Sequence, residues 1–211
     1  MTTRNLEHLF APQSVAVIGA TARAGSVGAA VTRNLLGGGF GGELRLVNPR
    51  HDRIGGHACW PDVPSLDIVP ALAVICTPPD TVPGLIGQLG ELGTKAAIVL
   101  TAGLGAAANG SGQSLSQAML DAAKPHLLRI LGPNCVGLLA PHIGLNASFA
   151  QEEALPGNIA FVSQSGALTT ALLDWAHARG IGFSHFISLG DCADVDFGDV
   201  IDYLACDAQT R

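Results

Sequence analysis

Short apolar runs of three to six residues alternate with longer segments of helical spacing along the first two thirds of the chain. The runs predict strands at 14–19, 43–47, 71–76, 96–100 and 129–131. The run at 14–19 is almost continuously apolar, as is typical of a parallel strand that is buried on both faces. The segments between them predict helices at 27–36, 81–92 and 114–123. This alternation predicts an α/β fold with a doubly wound parallel sheet, in which ligands bind at the carboxyl ends of the strands.

A second series of the same kind follows a segment without clear periodicity. Residues 158–163 and 183–189 predict strands, and residues 166–179 and 197–204 predict helices. We interpret residues 141–156 as a linker and divide the chain into a first domain, 1–143, and a second domain, 144–211. Two parallel strands cannot cover both faces of a sheet or protect its edges. We therefore expect that the chain is the front part of a longer protein or that a partner subunit completes it, and we expect the open edge to favour a homo-oligomer.

Composition narrows the classes of protein that fit this pattern. Apolar residues make up 48% of the chain and charged residues 13%, which excludes a disordered protein. The net charge is −6 and no basic run occurs, so we expect no nucleic-acid partner. No apolar run approaches the ~18 residues of a membrane span, so we expect no membrane partner. Five widely spaced cysteines without a C-x-x-C motif predict reduced thiols and, with no apolar segment near the N-terminus, a cytoplasmic location.

The loop after the first predicted strand has the features of a phosphate-binding turn. Gly19 allows a sharp turn, Gly25 lets the backbone approach a ligand, and Gly28 allows the helix to pack closely on the strand. Free N–H groups and the dipole of the following helix attract a diphosphate. The glycine spacing differs from G-x-G-x-x-G, and the alternative is that these glycines serve only as turn residues.

The end of the second predicted strand bears on which nucleotide would bind. A site for NAD requires Asp or Glu there to hold the ribose hydroxyls, whereas this strand is followed by Asn48, Pro49 and Arg50. Arg50 favours a phosphate on the ribose, as in NADP or coenzyme A. The alternative is that Arg50 is a solvated cation of a surface loop.

Several segments together resemble a known family. They are SVAVIGA at 14–20, VNP at 47–49, LAVI at 72–75 with TP at 77–78, TAG at 101–103, GPNCVG at 132–137 and SQSGAL at 163–168. Their order and spacing resemble the NDP-forming acyl-CoA synthetases, relatives of the succinyl-CoA synthetase alpha subunit. Four further segments look closest to the synthetase-like region of bacterial GNAT protein lysine acetyltransferases: LLAP at 138–141, LNASF at 145–149, DWA at 174–176 and LGD at 189–191. The resemblance implies a Rossmann-like CoA-binding domain followed by the start of a flavodoxin-like α/β domain.

The resemblance also implies a set of residues that hold coenzyme A or acyl-CoA. Those implied for the diphosphate are Gly19, Thr21, Arg23, Gly25, Ser26, Val27 and Gly28. Those implied for the adenosine and its 3′-phosphate are Asn48 and Arg50, and those for the pantetheine are Thr77, Pro78, Ala102 and Gly103. Asn134 and Cys135 are implied near the thiol. The alternatives are that Asn134 is a turn residue and that Cys135 is a small buried filler.

A second anion site is implied at the start of the later helix. The residues Ser163, Gln164, Ser165 and Gly166 resemble the family's phosphate-binding segment, and hydroxyls and free N–H groups at a helix N-terminus suit an anion. The alternative is simple helix capping by a serine. Asp202 aligns with the acidic partner of the family's phosphohistidine, or else is a solvated helix carboxylate. None of the seven histidines matches the relay position or a metal-binding spacing, so we expect no metal site and a relay histidine outside this chain.

These implications give a primary hypothesis and two alternatives for function. The first is the CoA-binding portion of an ADP- or NDP-forming acyl-CoA (acetyl-CoA) synthetase, with a phosphohistidine relay completed outside this chain. Its remaining domains or a beta-type ATP-grasp subunit would be partners, and ATP or ADP with Mg would bind only to the complete enzyme. One alternative is a non-catalytic acyl-CoA-sensing region of a GNAT protein lysine acetyltransferase. The other is a fragment of an NAD(P)-dependent oxidoreductase.

Overall fold

A computed structural model describes residues 2–106, 108, 110 and 112–211. The strands of the first sheet are β1 (Ser14–Ile18), β2 (Glu43–Val47), β3 (Arg53–Ile54), β4 (His57–Trp60), β5 (Leu72–Ile75), β6 (Ala96–Val99) and β7 (Arg129–Leu131). The helices of this part are α1 (Glu7–Phe10), α2 (Val27–Gly37), α3 (Val82–Leu92) and α4 (Leu115–Ala123). In the described residues the sheet order is β3-β4-β2-β1-β5-β6-β7.

The centre of this sheet is parallel and buried on both faces. β1 pairs in parallel with β2 and β5, and the parallel pairing continues through β6 to β7. The residues of β5, β6 and β7 are all buried, which explains why their sequences are continuously apolar apart from Arg129. The predicted doubly wound parallel sheet is confirmed, and the carboxyl ends of β1, β5, β6 and β7 meet at one edge.

Serine caps set the start of two of the predicted helices. Ser26 Oγ accepts a hydrogen bond from the N–H of Ala29 at 3.3 Å and so begins α2. Ser114 Oγ accepts from the N–H of Gln117 at 3.2 Å and begins α4. Such caps satisfy N–H groups that have no partner within the helix. The strand pair β3–β4 was missing from the sequence analysis because its strands are only two and four residues long.

The second sheet corrects the interpretation of residues 141–156 as a linker. Its strands are β8 (Gly137–Ala140), β9 (Leu145–Ser148), β10 (Leu155–Ser163) and β11 (Gly182–Ser188), in the order β10-β11-β8-β9 among the described residues. The residues of β8 and β9 are all buried, and the two strands form an antiparallel hairpin. The pattern was missed because the polar residues Asn146 and Ser148 interrupt the second strand, so it lacks the continuous apolar run of the other buried strands. The boundary at 143/144 falls within this hairpin and stays a prediction.

Two helices complete the second part of the chain. They are α5 (Gly166–His177) and α6 (Phe197–Leu204). β10 and β11 are parallel, as predicted, and β10 has no strand on its other edge within the part of the chain that is described. The homo-oligomer expected from that edge stays a prediction. No helix among the described residues is long and apolar enough to cross a membrane.

The loop at 190–195 joins the second sheet to the first. The N–H groups of Asp191, Ala193 and Val195 donate to carbonyl oxygens within residues 130–133 at 2.9–3.1 Å. Because β7 is the edge strand of the first sheet, this loop covers hydrogen-bonding groups that an edge would otherwise expose.

A buried arginine anchors the same junction. The Arg129 side chain donates from Nε to Asp194 Oδ2 at 3.0 Å and from Nη2 to Asp199 Oδ2 at 2.5 Å. It also donates from Nη1 to the carbonyl oxygen of Thr2 at 2.8 Å. Arg129 is 4% exposed and Asp199 is 5% exposed, so water solvates neither charge and each one stabilises the other. One side chain of β7 thus holds the N-terminal segment, the loop at 190–195 and α6.

We predict that Arg129→Met lowers the free energy of unfolding by about 3–5 kcal/mol, because it leaves the buried carboxylate of Asp199 without its cation. Arg45→Met is the control, since Arg45 pairs with the exposed carboxylates of Glu43 and Asp67. It should cost about 1 kcal/mol or less. Denaturant unfolding measures both values. Equal losses for the two variants would contradict the assignment of Arg129 as the anchor.

We further predict that stability falls in acid partly through Asp199. Burial by itself would raise the pKa of Asp199, but the N–H of Thr2 and the guanidinium of Arg129 outweigh it and hold that pKa below its ordinary value. The stabilising contribution is therefore present above the ordinary carboxyl pKa and is lost as the pH falls through the lowered one. Unfolding measured from pH 7 to pH 3 should show a shallower loss for Arg129→Met than for the unmodified protein. If the free energy of unfolding fell equally steeply with pH in both proteins, the loss of stability in acid would not originate from Asp199.

Candidate functional site

A cleft of about 690 Å³ lies at the carboxyl ends of the first sheet, where α2 and α5 begin. Loops following β1, β5, β6 and β7 form one side, and the start of α5 and the loop after β11 form the other. The lining residues are Arg23, Val27, Cys76, Thr77, Pro78, Leu100, Thr101, Ala102, Asn134, Cys135, Val136, Phe149, Gln164, Gly166, Gly190 and Asp191. The volume is in the range of sites for small molecules and cofactors.

Glycines shape the loop between β1 and α2. A Cβ built on Gly28 would overlap the carbonyl oxygen of Gly19, so only glycine lets α2 approach this closely. Gly19 has a φ of +91° and Gly25 a φ of +77°. A Cβ on Gly25 would meet no atom within 4 Å, so the backbone there is open to a ligand. The turn predicted at Gly19 and the close packing predicted at Gly28 are present, and the approach of a ligand at Gly25 stays a prediction.

Two side chains of this loop make hydrogen bonds within the segment between β1 and α2. Ser26 Oγ caps α2 and also donates to the carbonyl oxygen of Arg23 at 2.7 Å. Thr21 Oγ1 accepts from the N–H of Arg23 at 3.2 Å. The first N–H groups of α2, at Val27 and Gly28, have no acceptor within the helix. The loop therefore offers backbone amides, and the exposed Arg23 is the cationic side chain beside them.

Asn48 connects the loops after β1 and β2. Its Nδ2 donates to the carbonyl oxygen of Ala20 at 2.7 Å, and its Oδ1 accepts from the N–H of Arg50 at 2.9 Å. Both ends of this amide are thus occupied by the protein, which makes Asn48 a positioning residue for the glycine loop. The Arg50 guanidinium is exposed and has no ion-pair partner among the described residues.

A chain of hydrogen bonds links the remaining loops of the cleft. Thr101 Oγ1 donates to the carbonyl oxygen of Thr77 at 2.7 Å, and the carbonyl oxygen of Thr101 accepts from the N–H of Asn134 at 3.0 Å. Asn134 Nδ2 then donates to Asp191 Oδ1 at 3.0 Å. Asn134 has a φ of +59°, which suits its position in a turn. This chain fixes the loops after β5, β6, β7 and β11 relative to one another.

The two cysteines in the wall are poor nucleophiles. Burial raises the pKa of Cys135 to about 12 and that of Cys76 to about 12. Cys135 Sγ donates to the carbonyl oxygen of Val99 at 3.5 Å and is 3% exposed. Both thiols therefore stay protonated at neutral pH, and Cys135 acts as a buried filler that supports the wall.

The start of α5 forms the opposite wall. Ser165 Oγ accepts from the N–H of Leu168 at 3.2 Å, and Ser163 Oγ accepts from the N–H of Ser165 at 3.1 Å. Ser165 therefore caps α5, which is the alternative that the sequence left open for this residue. Gln164 and Gly166 line the cleft, and Gln164 Nε2 donates to Cys192 Sγ at 3.4 Å. The N-terminus of α5 thus opens on the same cleft as the N-terminus of α2.

The structure brings many of the sequence-predicted residues together. Those that line the cleft are Arg23, Val27, Thr77, Pro78, Ala102, Asn134, Cys135, Gln164 and Gly166. Those in the adjoining loops and at the adjoining ends of α2 and β10 are Gly19, Thr21, Gly25, Ser26, Gly28, Asn48, Arg50, Gly103, Ser163 and Ser165. Asp202 lies exposed on α6, outside the lining, and its side chain has no hydrogen bond or ion pair with any described residue. Its predicted role toward a phosphohistidine stays a prediction. No metal-binding group of three or more His, Cys, Asp or Glu occurs among the described residues.

The sequence analysis missed several lining residues. They are Cys76, Leu100, Thr101, Val136, Phe149, Gly190 and Asp191. Thr101 and Asp191 stood within the segments that carried the resemblance, and their position directly after buried strands could have identified them. Phe149 also stood within one of these segments, LNASF at 145–149, but the interpretation of residues 141–156 as a linker kept it out of the predicted site.

We predict that Gly28→Ala destabilises the loop that begins the cleft. The added Cβ overlaps the Gly19 carbonyl oxygen, and such overpacking costs about 1–3 kcal/mol. Gly87→Ala is the control, because Gly87 lies within α3 and its Cβ would meet no atom within 4 Å. That change should raise stability by roughly 0.5–1 kcal/mol. Thermal unfolding distinguishes the predicted loss of stability from the predicted gain. Stabilisation by Gly28→Ala would contradict the close packing of α2 on the end of β1.

Comparison with known proteins supports this geometry. A family model described as a CoA binding domain matches residues 13–141, and one described as a succinyl-CoA ligase like flavodoxin domain matches residues 156–211. The acetate–CoA ligase [ADP-forming] of Methanocaldococcus jannaschii is 37% identical over 98% of this chain and 29% of its own length. The acetate–CoA ligase [ADP-forming] I subunit alpha of Pyrococcus furiosus is 35% identical over 98% of this chain and 46% of its own length. The chain thus spans less than half the length of these relatives.

A solved structure has the same fold throughout. The dinucleotide forming acetyl-coenzyme A synthetase 1 of Ca. Korarchaeum cryptofilum, in complex with phosphate and ADP, superposes with a TM-score of 0.90 at 38% identity. The match covers 97% of this chain and 44% of that one. The chain therefore belongs to the CoA-binding domain family, and a succinyl-CoA ligase-like flavodoxin domain follows in the same chain.

Proposed function

We propose that the cleft binds CoA or acyl-CoA and that the chain is the CoA-binding portion of an ADP-forming acyl-CoA synthetase. The observation that carries this proposal is that two helix N-termini, those of α2 at Val27 and α5 at Gly166, open on one cleft. Each N-terminus favours an anion. Two anion sites in one cleft suit a reaction between a diphosphate-bearing thioester and phosphate.

In this proposal the diphosphate of CoA lies on the amides of Val27 and Gly28, with the Arg23 guanidinium beside it. Arg50 binds the 3′-phosphate at the solvent-exposed end, and Asn48 holds the loop that carries both sites. Family membership and the open surface at Gly25 support this placement. The pantetheine then runs past the loops after β5 and β6 toward Asn134, which the chain of hydrogen bonds holds in place.

The second anion site receives phosphate at the start of α5. An oxygen of phosphate attacks the thioester carbonyl, the carbon–sulfur bond breaks, and acyl phosphate and CoA thiol are released. Free N–H groups and the hydroxyls of Ser163 and Ser165 orient the phosphate in this step. In the complete enzyme, the phosphoryl group passes through a histidine outside this chain to ADP. ATP or ADP with Mg, and an ATP-grasp region or beta-type subunit, belong to that part of the reaction.

An alternative proposal is that the chain is an acyl-CoA-sensing region of a GNAT protein lysine acetyltransferase. The observation that favours it concerns Asp202, which is exposed on α6 and does not line the cleft. In this alternative the carboxylate of Asp202 serves no phosphohistidine relay, and the synthetase chemistry is absent. Both proposals require CoA in the same cleft, and ADP-dependent turnover of acetyl-CoA by the full-length gene product distinguishes them.

We predict that calorimetric titration of the full-length gene product shows binding of CoA, weaker binding of dephospho-CoA and no comparable binding of NADH. Arg23→Met should weaken CoA binding by about tenfold or more, because it removes a charge-assisted contact to the diphosphate. Arg4→Met is the matched control, since Arg4 is exposed and lies outside this cleft. Equal affinity for NADH, or no CoA binding, would refute the proposal.

A further inference from the structure

Phe149 is a half-buried aromatic residue in the wall of the cleft. It directly follows β9 and lies between the buried residues Ser148 and Ala150. Its side chain lines the cleft together with Val136, which is 4% exposed. Phe149 also packs against two clusters of buried apolar residues.

The backbone on both sides of Phe149 is held by one buried side chain. Asn34 of α2 is 9% exposed, and its Nδ2 donates to the carbonyl oxygens of Ser148 and Ala150, each at 2.9 Å. The N–H of Phe149 donates to the carbonyl oxygen of Val136 at 3.2 Å. Ser148 Oγ accepts from the N–H of Ala150 at 3.2 Å. Such a clamp fixes the backbone that carries the ring before a ligand arrives, as a specificity-determining residue requires.

The wall formed by Val136 and Phe149 lies next to the start of α5, where the proposed function places the phosphate. A Cβ built on Gly166, the first residue of α5, would lie 3.1 Å from Val136 Cγ2, so Val136 touches the helix start. In the proposed function, on which this inference rests, phosphate is held at that helix start. The thioester carbonyl must then lie ~3–3.5 Å from the attacking oxygen. We infer that the acyl chain extends from this point along Val136 and Phe149, and that these two side chains select neutral aliphatic acyl groups over acyl groups with a second carboxylate.

The charges of the cleft support the same selection. Among the described residues that line it, Arg23 is the one cation, and in the proposed function it pairs with the diphosphate. Asp191 is the one anion, and its carboxylate is fixed by Asn134 on the same side as Gly166. A distal carboxylate on the acyl chain would lie against two apolar side chains with no cation to pair with and with Asp191 nearby. Burial of an unpaired charge of this kind is costly.

Butyryl-CoA and succinyl-CoA make a matched pair, because their acyl chains have the same number of carbons and differ in the terminal carboxylate. Calorimetric titration of the full-length gene product should give a dissociation constant for succinyl-CoA that is about tenfold or more above that for butyryl-CoA. Phe149→Ala opens the wall to water and should bring the two constants close together. Phe149→Leu keeps an apolar side chain and should preserve most of the ratio.

The control variant is Phe197→Ala, which removes an exposed ring of α6 outside the cleft and should leave the ratio unchanged. Equal binding of the two thioesters by the unmodified protein would overturn the inference, as would a ratio that Phe149→Ala leaves intact. Titration with free CoA separates this result from failure of the proposed function. If free CoA binds and the ratio is absent, only the inference fails; if free CoA does not bind, the proposed function fails as well.

Discussion

The docking of the loop at 190–195 on the edge strand β7 is the contact on which the rest of the structure depends. Three backbone hydrogen bonds and the buried Arg129 side chain hold this loop beside the first sheet. Together with the hydrogen bonds from Asn34 of α2 to the carbonyl oxygens of Ser148 and Ala150, this contact fixes the loop after β11 and the start of α5 relative to the loops after β1, β5 and β6. The cleft is therefore a joint product of two sheets, and neither sheet alone has both of its walls.

The attraction of the cleft for anions is local. The chain carries a net charge of −6, so its overall field disfavours phosphate-bearing ligands. Two helix N-termini counter this at short range, each equivalent to roughly half a positive charge. Serines that cap the helices leave the first amides free, and Gly28 lets α2 lie directly against the strand end. Backbone geometry, more than cationic side chains, thus sets where a diphosphate and a phosphate can bind.

Much of the first sheet could be predicted from sequence, because buried parallel strands are continuously apolar and end at glycine, proline or asparagine. The hairpin β8–β9 could not, since Asn146 and Ser148 interrupt the apolar run of its second strand, which lies between Pro141 and Pro156. The glycine loop, Arg23 and the start of α5 were predicted from local patterns and from the family resemblance. Phe149 was not, because its place in the cleft depends on pairings between distant segments. Asp191 was not either, although it follows a buried strand within a segment that carried the resemblance. Hydrogen bonds also changed the interpretation of Asn48, whose amide is occupied within the protein.

The central claim is that one cleft holds the diphosphate of CoA at the start of α2 and directs its thiol toward the start of α5. A crystal structure of the full-length gene product with CoA tests this most directly. The account predicts diphosphate oxygens within hydrogen-bond distance of the N–H groups of Val27 and Gly28, and the thiol sulfur beside Asn134. A diphosphate bound away from α2, or a cleft filled by side chains with CoA elsewhere, would contradict it.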